Sequence, residues 1–161
     1  MRETSLKYTD IVFNAKPDAV PYNYRISYKV SQLCLIMHIC GRRDICSLIK
    51  LHMISFALIS QENMKKLVEF TDGTGNAPIV RFDPSINRAL TYAIGYGLIE
   101  RQRNAKYKLT DRGKKLAEQI KIVGDLMVTE IGDLNLLAKK LTESKVEEIV
   151  DTWRIKDAEN H

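Results

Sequence analysis

The sequence predicts a mainly α fold with one small β-hairpin, and three observations carry that prediction. Between residues 83 and 120 a capped helix, two short strand-like runs and a second capped helix follow one another. Ahead of them, YKVSQLCLIMHIC (28–40) and DICSLIKLHMISFALI (44–59) are apolar runs of helical length. Behind them, residues 126–161 place apolar side chains at helical spacing on an acidic background.

The N-terminal stretch, residues 1–27, reads as an arm. Pro17 and Pro21 interrupt it, and VPYNYRIS looks extended, with Tyr22 and Tyr24 free either to seek a pocket on a neighbouring surface or to pack locally. Residues 28–124 form the main domain. Its first helix, 28–40, has little polar relief on any side, and the second, 44–59, starts at Asp44 as an N-cap candidate. A helix that is apolar all round must be buried on every side. Either these two runs are central core helices or part of their surface, Met53 and Phe56 included, meets another chain, with Asp44 and Lys50 at the edge that reaches water. SQENMKKLVEF (60–70) continues as a more amphipathic helix with Met64, Leu67, Val68 and Phe70 inward, and TDGTGNAP (71–78) is a turn-rich loop. Its glycines make no phosphate loop, because no GxxxxGK[ST] pattern is present.

Asp83 is a good N-cap with Pro84 at the first helical position, where a missing N–H costs nothing. Ile86, Ala89, Leu90, Ala93 and Ile94 then make the stripe that buries one face of a helix, and Gly95 and Gly97 end it. Leu98 to Arg101 and Lys106 to Leu109 alternate as strands around a polar turn at Arg103, Asn104 and Ala105, and Thr110 caps the next helix. In the C-terminal tail, residues 125–161, the positions Met127, Ile131, Leu134, Ala138 and Leu141 are spaced 4, 3, 4 and 3, a coiled-coil-like seam. Ser144 and Glu147 match a capping box for a last helix with Val146, Ile149, Val150 and Trp153 on one side. These helices either pack back on their own domain or dock on a partner, and in the second case Leu134, Leu141 and Trp153 are the contacts.

Charge is distributed unevenly. Residues 81–125 carry 10 basic and 5 acidic side chains, whereas residues 126–161 carry 5 basic and 8 acidic ones. Arg101, Arg103, Lys106 and Lys108 flank the hairpin turn, and alternation along a strand puts several on one face, as phosphate contact requires. Exposed hairpins also carry charge for solubility, so both readings stand. Arg88 lies on the solvent face of the preceding helix with Ser85, Asn87, Thr91 and Tyr92. That is a thin supply of base-reading groups, so backbone contact without sequence preference fits better than operator reading.

Other classes find little support. No nucleophile with a base, carboxylate pair, metal-ligand set or phosphate loop is evident, so neither catalysis nor a cofactor is expected. Cys34, Cys40 and Cys46 lie in apolar surroundings without a CxxC pair, which suggests buried thiols rather than a metal site. No segment directs export and no apolar run is long enough to span a membrane, so a cytoplasmic protein is expected.

The order of helix, hairpin and capped helix, with GLIER…YKLTDRGKKL in the hairpin region, resembles the winged helix-turn-helix superfamily. More narrowly, PYNYRIS, SQLCLIMHIC, SLIKLHMISFALIS and DPSINRALTYAIGYGLIE followed by LTDRGKKL are similar to the middle components of ABC-three-component systems, among them the antiphage Lamassu systems. That resemblance implies a non-enzymatic subunit of a hetero-oligomer in antiphage or anti-plasmid defence. It would sit on an SMC-like ATPase and bridge it to an effector, often a nuclease, with DNA sensed by the assembly. A free-standing homodimeric winged-helix regulator and a phage or plasmid replication-accessory factor are the competing readings.

Overall fold

The structure, a computed structural model, describes the backbone of residues 5–8, 11–14 and 22–159, and side chains from residue 25 to residue 159. The described residues are mainly helical, with two small antiparallel sheets. In order they are β1 (Ser5–Tyr8), β2 (Ile11–Asn14), α1 (Tyr22–Cys40), β3 (Ile45–Ser47), α2 (Leu48–Ala57), α3 (Gln61–Thr71), α4 (Pro84–Gly95), β4 (Ile99–Arg101), β5 (Lys106–Leu109), α5 (Asp111–Val123), α6 (Val128–Leu137) and α7 (Glu143–Glu159). β1 pairs with β2 in a two-stranded sheet, whereas β3, β5 and β4 form a three-stranded sheet in that order.

α1 is the axis of the fold. It packs against α2, α4, α5 and α6, and every residue from Val30 to Met37 is buried. Only a helix surrounded by its own chain can bury all its faces, which answers the apolar-run question in favour of a central core. Most of the apolar surface expected to need another chain is covered internally, while Phe56 stays half-buried and Ile59 exposed. Met53 lies in that interior too, and so does Lys50, whose Nζ donates to the Cys40 carbonyl at 2.9 Å. Lys50 therefore does not mark a water-facing edge.

Several boundaries differ from the sequence reading. α1 begins at Tyr22, so the extended arm expected through residue 27 is helical over its last six residues. The side chains of Tyr22 and Tyr24 lie outside the described residues. Asp44 is not an N-cap: with Arg43 it forms a tight left-handed turn (φ 61° and 54°), and Ile45 N donates back to Arg42 O at 3.1 Å. A three-residue strand follows, and Ser47 caps α2 by accepting from Lys50 N. Ser60 caps α3 in the same way, at Asn63 N. Met64 and Leu67 are buried, with Val68 and Phe70 half-buried beside them.

The C-terminal helices belong to the same core. Leu134, Leu137, Leu141, Val146, Ile149 and Val150 are buried, so Leu134 and Leu141 present no surface to a partner. The seam expected to run from Met127 to Leu141 is broken at Ala138 (φ 44°, ψ −128°), which leaves Leu141 in the connection between α6 and α7. α7 is capped by Thr142, whose Oγ1 accepts from Lys145 N at 3.2 Å, in place of the expected Ser144 box. Polar clamps surround this packing. Gln61 Nε2 donates to Asp133 Oδ2 at 3.2 Å, Lys140 pairs with Asp72 at 3.1 Å, and Ser47 N donates to Glu143 Oε1 at 3.0 Å.

Candidate nucleic-acid interface

α4 and the hairpin after it are built as the sequence reads. Asp83 accepts from Ser85 N at 2.9 Å and from Ser85 Oγ at 2.6 Å, bonds that hold its carboxyl below the usual carboxylate range. Its negative charge already occupies the helix N-terminus, where an incoming phosphate would otherwise be favoured. Ile86, Ala89, Leu90 and Ala93 bury the inner face, while Asn87, Arg88, Thr91 and Tyr92 are exposed. Two of these four are already engaged: the Asn87 side chain bonds His52, and Thr91 Oγ1 donates to Asn87 O at 3.1 Å. Base-reading capacity on this helix is therefore smaller still than the sequence suggests.

Gly97, at φ 73°, turns the chain from α4 into β4, and a positive φ of this kind favours a residue without Cβ. Asn104 and Ala105 close the hairpin in left-handed conformations, with Gln102 N donating to Lys106 O at 2.8 Å. Thr110 then receives Gly113 N on its Oγ1 at 3.2 Å and starts α5.

The ladder register sorts the basic side chains. Ile99 pairs with Leu109, Glu100 with Lys108 and Arg101 with Tyr107, while Ile45, Cys46 and Ser47 pair with Lys108, Tyr107 and Lys106. Directly paired residues point to the same side of a sheet. Cys46, Tyr107, Leu109 and Ile99 are buried and so define the inner face. Lys106 and Lys108 share the outer face; Arg101 belongs to the opposite one, at its exposed edge, and Arg103 sits at the exposed turn. Of the four basic residues expected to place several on one face, Lys106 and Lys108 share one, while strand alternation sets Arg101 on the other. Arg88 stands apart on α4.

Sequence reasoning missed Arg42. An isolated bridge pairs it with Ile45, which places it on the outer face in line with Ile45, Lys108 and Glu100. The signal was present in the Arg-Arg-Asp interruption between two apolar runs, but a strand of only three residues after it is not separable from a helix start by periodicity. Asp44, beside this row, is already met by Lys114 at 3.2 Å and by His38 at 3.5 Å.

The remaining candidates fall elsewhere. Phe56 is half-buried on the wall of an open groove of about 600 Å³ between α2, α3 and the segment 75–81. Trp153 is half-buried; its Nε1 donates to Pro78 O at 3.3 Å and its ring stands edge-on to Phe82 at 6.1 Å, with Phe82 stacked on His52 at 4.6 Å. This aromatic chain ties α7 and α2 to the segment between α3 and α4. Trp153→Ala is accordingly expected to lower the melting temperature of the isolated chain by roughly 5 °C, through about 2 kcal/mol of lost packing. An unchanged melting curve would show that the ring adds nothing to the fold.

Burial pushes the thiols of Cys34, Cys40 and Cys46 up to about 12, so all three are unreactive and protonated near neutral pH. Among the described residues no three His, Cys, Asp or Glu side chains gather in a way that would hold a metal ion. No described helix is long and apolar enough to cross a membrane. No family model, curated protein or solved structure matches this chain.

Proposed function

We propose that this chain is a non-enzymatic winged-helix subunit that contacts DNA through phosphates and serves as an adaptor between an SMC-like ATPase and an effector nuclease in prokaryotic antiphage or anti-plasmid defence. The observation that carries the DNA part is the placement of basic side chains on the element a winged helix would use. A helix leads directly into a hairpin whose second strand is central, and the hairpin exposes Arg103 at its turn with Lys106 and Lys108 on its outer face. Arg88 on the preceding helix would help to orient the duplex. The thin supply of free polar groups on α4 favours backbone contact over base reading. The adaptor part rests on the resemblance of the sequence words quoted above to the middle components of ABC-three-component systems.

Binding of this kind is expected to fall steeply with salt and to vary little with DNA sequence, because phosphate neutralisation releases counterions. Reversing two charges, Arg103→Glu with Lys106→Glu, should weaken retention of random-sequence duplex by roughly tenfold or more and flatten the salt dependence. Retention unchanged by that double substitution would remove the hairpin as the contact. A tagged chain should also co-purify with an SMC-like ATPase from its own cells. A lone homodimer with strong preference for a palindrome would instead establish the regulator reading.

A further inference from the structure

The two-residue turn ahead of β3 extends the basic surface beyond the hairpin. Arg42, Ile45, Lys108 and Glu100 form one row across the outer face, and Ser47, Lys106 and Gln102 form the next. We infer that this outer sheet face, with Arg42, Lys106 and Lys108 as its cations, is a docking surface for the phosphate backbone of duplex nucleic acid. The inference rests on the DNA-contacting reading above and moves the main contact from the hairpin turn to the sheet.

Three observations support it. The first is spacing: strands lie about 4.8 Å apart and alternate residues about 7 Å apart, so neighbouring cations of the face, Arg42 and Lys108 or Lys108 and Lys106, stand within about 10 Å of each other. That is near one Debye length at physiological salt, and they act as one patch against a duplex bearing a charge every ~1.7 Å. The second is the local balance of charge. Asp44 is paired with Lys114, and the outer rows themselves carry three cations against one carboxylate, Glu100, with Glu143 beside Ser47 as the neighbouring anion. The third is the lack of a stacking platform. Tyr107 is buried on the inner face, and the outer rows consist of arginine, lysine, isoleucine, serine, glutamine and glutamate. Single strands are held largely by bases stacked on aromatic rings, so a basic face without rings suits paired strands.

Glu100 makes the proposal testable in both directions. Arg42→Gln and Glu100→Gln change exposed side chains, and melting curves serve to confirm that each variant is folded. Affinity is then measured over a range of salt for a random-sequence duplex and for its separated strands. Arg42→Gln is expected to weaken duplex binding roughly fivefold and to reduce the salt slope by about one, while Glu100→Gln tightens it by roughly threefold. Lys121→Gln, at the exposed end of α5, serves as the control for general charge loss. If the unmodified chain binds duplex but neither Arg42→Gln nor Glu100→Gln moves its affinity, the sheet face is not the contact and the hairpin turn remains. A larger loss from Arg101→Gln than from Arg42→Gln overturns the proposal, and so does tighter binding of single strands than of duplex. Failure of the unmodified chain to bind any duplex instead overturns the reading on which the proposal rests.

Discussion

Gly113→Ala is expected to destabilise the chain by about 3 kcal/mol, which for a protein of this length lowers the melting temperature by roughly 10 °C. Gly113 lies in the first turn of α5, where that helix crosses the base of the hairpin. A Cβ there would stand 2.1 Å from the Leu98 carbonyl oxygen and 2.7 Å from Leu109 Cδ2. The carbonyl cannot yield, because it also accepts from Thr110 N at 3.0 Å and belongs to the turn into β4. Nor can the helix back away, since Thr110 Oγ1 ties Gly113 N to the Gly97 carbonyl. Alanine normally gains close to 1 kcal/mol over glycine inside a helix, so a net loss here measures the close approach and not intrinsic propensity. A variant that melts at or above the temperature of the unmodified protein would show that α5 does not sit this near the hairpin.

The same region shows why some of the molecule was legible in its sequence and some was not. α4, the hairpin and α5 carry local instructions: a proline after an aspartate cap, an apolar stripe, alternating strands and a threonine cap. Each was readable within a few residues. The role of Gly113 was not, because the pressure on it comes from Leu98 and Leu109 after the chain has folded back. β3 was lost for a related reason: three residues of strand inside an apolar run give no distinctive period, and its partner β5 lies some sixty residues away. Arg42 and the outer-face row went with it, since a sheet face is defined by register between distant segments. The basic residues Arg101, Arg103, Lys106 and Lys108 all fall on the hairpin, as their spacing in the sequence indicates, but alternation sets Arg101 apart from Lys106 and Lys108. Residues of the C-terminal seam were recognised as apolar and helical; what they pack against could not be read from spacing, because a stripe fits a partner and the chain's own core equally well.

Truncation after Gly124 decides that last question with the largest effect of all. Leu134, Leu137, Leu141, Val146, Ile149 and Val150 are buried with the residues of α1 and α3 in one cluster, so removing them uncovers the interior. Clamps at several points would be lost together: Tyr28 to Glu130, Gln61 to Asp133, Lys139 to the Gly41 carbonyl, Lys145 to the Thr71 carbonyl, and Lys140 to Asp72. The truncated chain is expected to lose its cooperative melting transition and to aggregate, as a central helix stripped of one of its covering layers exposes a continuous apolar face. Leu134→Ala probes the same packing without deletion. At a fully buried leucine it should cost about 3 kcal/mol, within the range seen when a core side chain leaves a cavity. A truncated chain that still unfolds cooperatively near the original temperature would make residues 125–161 a separable appendage, and a Leu134→Ala variant of unchanged stability would agree with it. Loss of the transition in the first and a matching fall in the second would establish that α6 and α7 are structural parts of the domain.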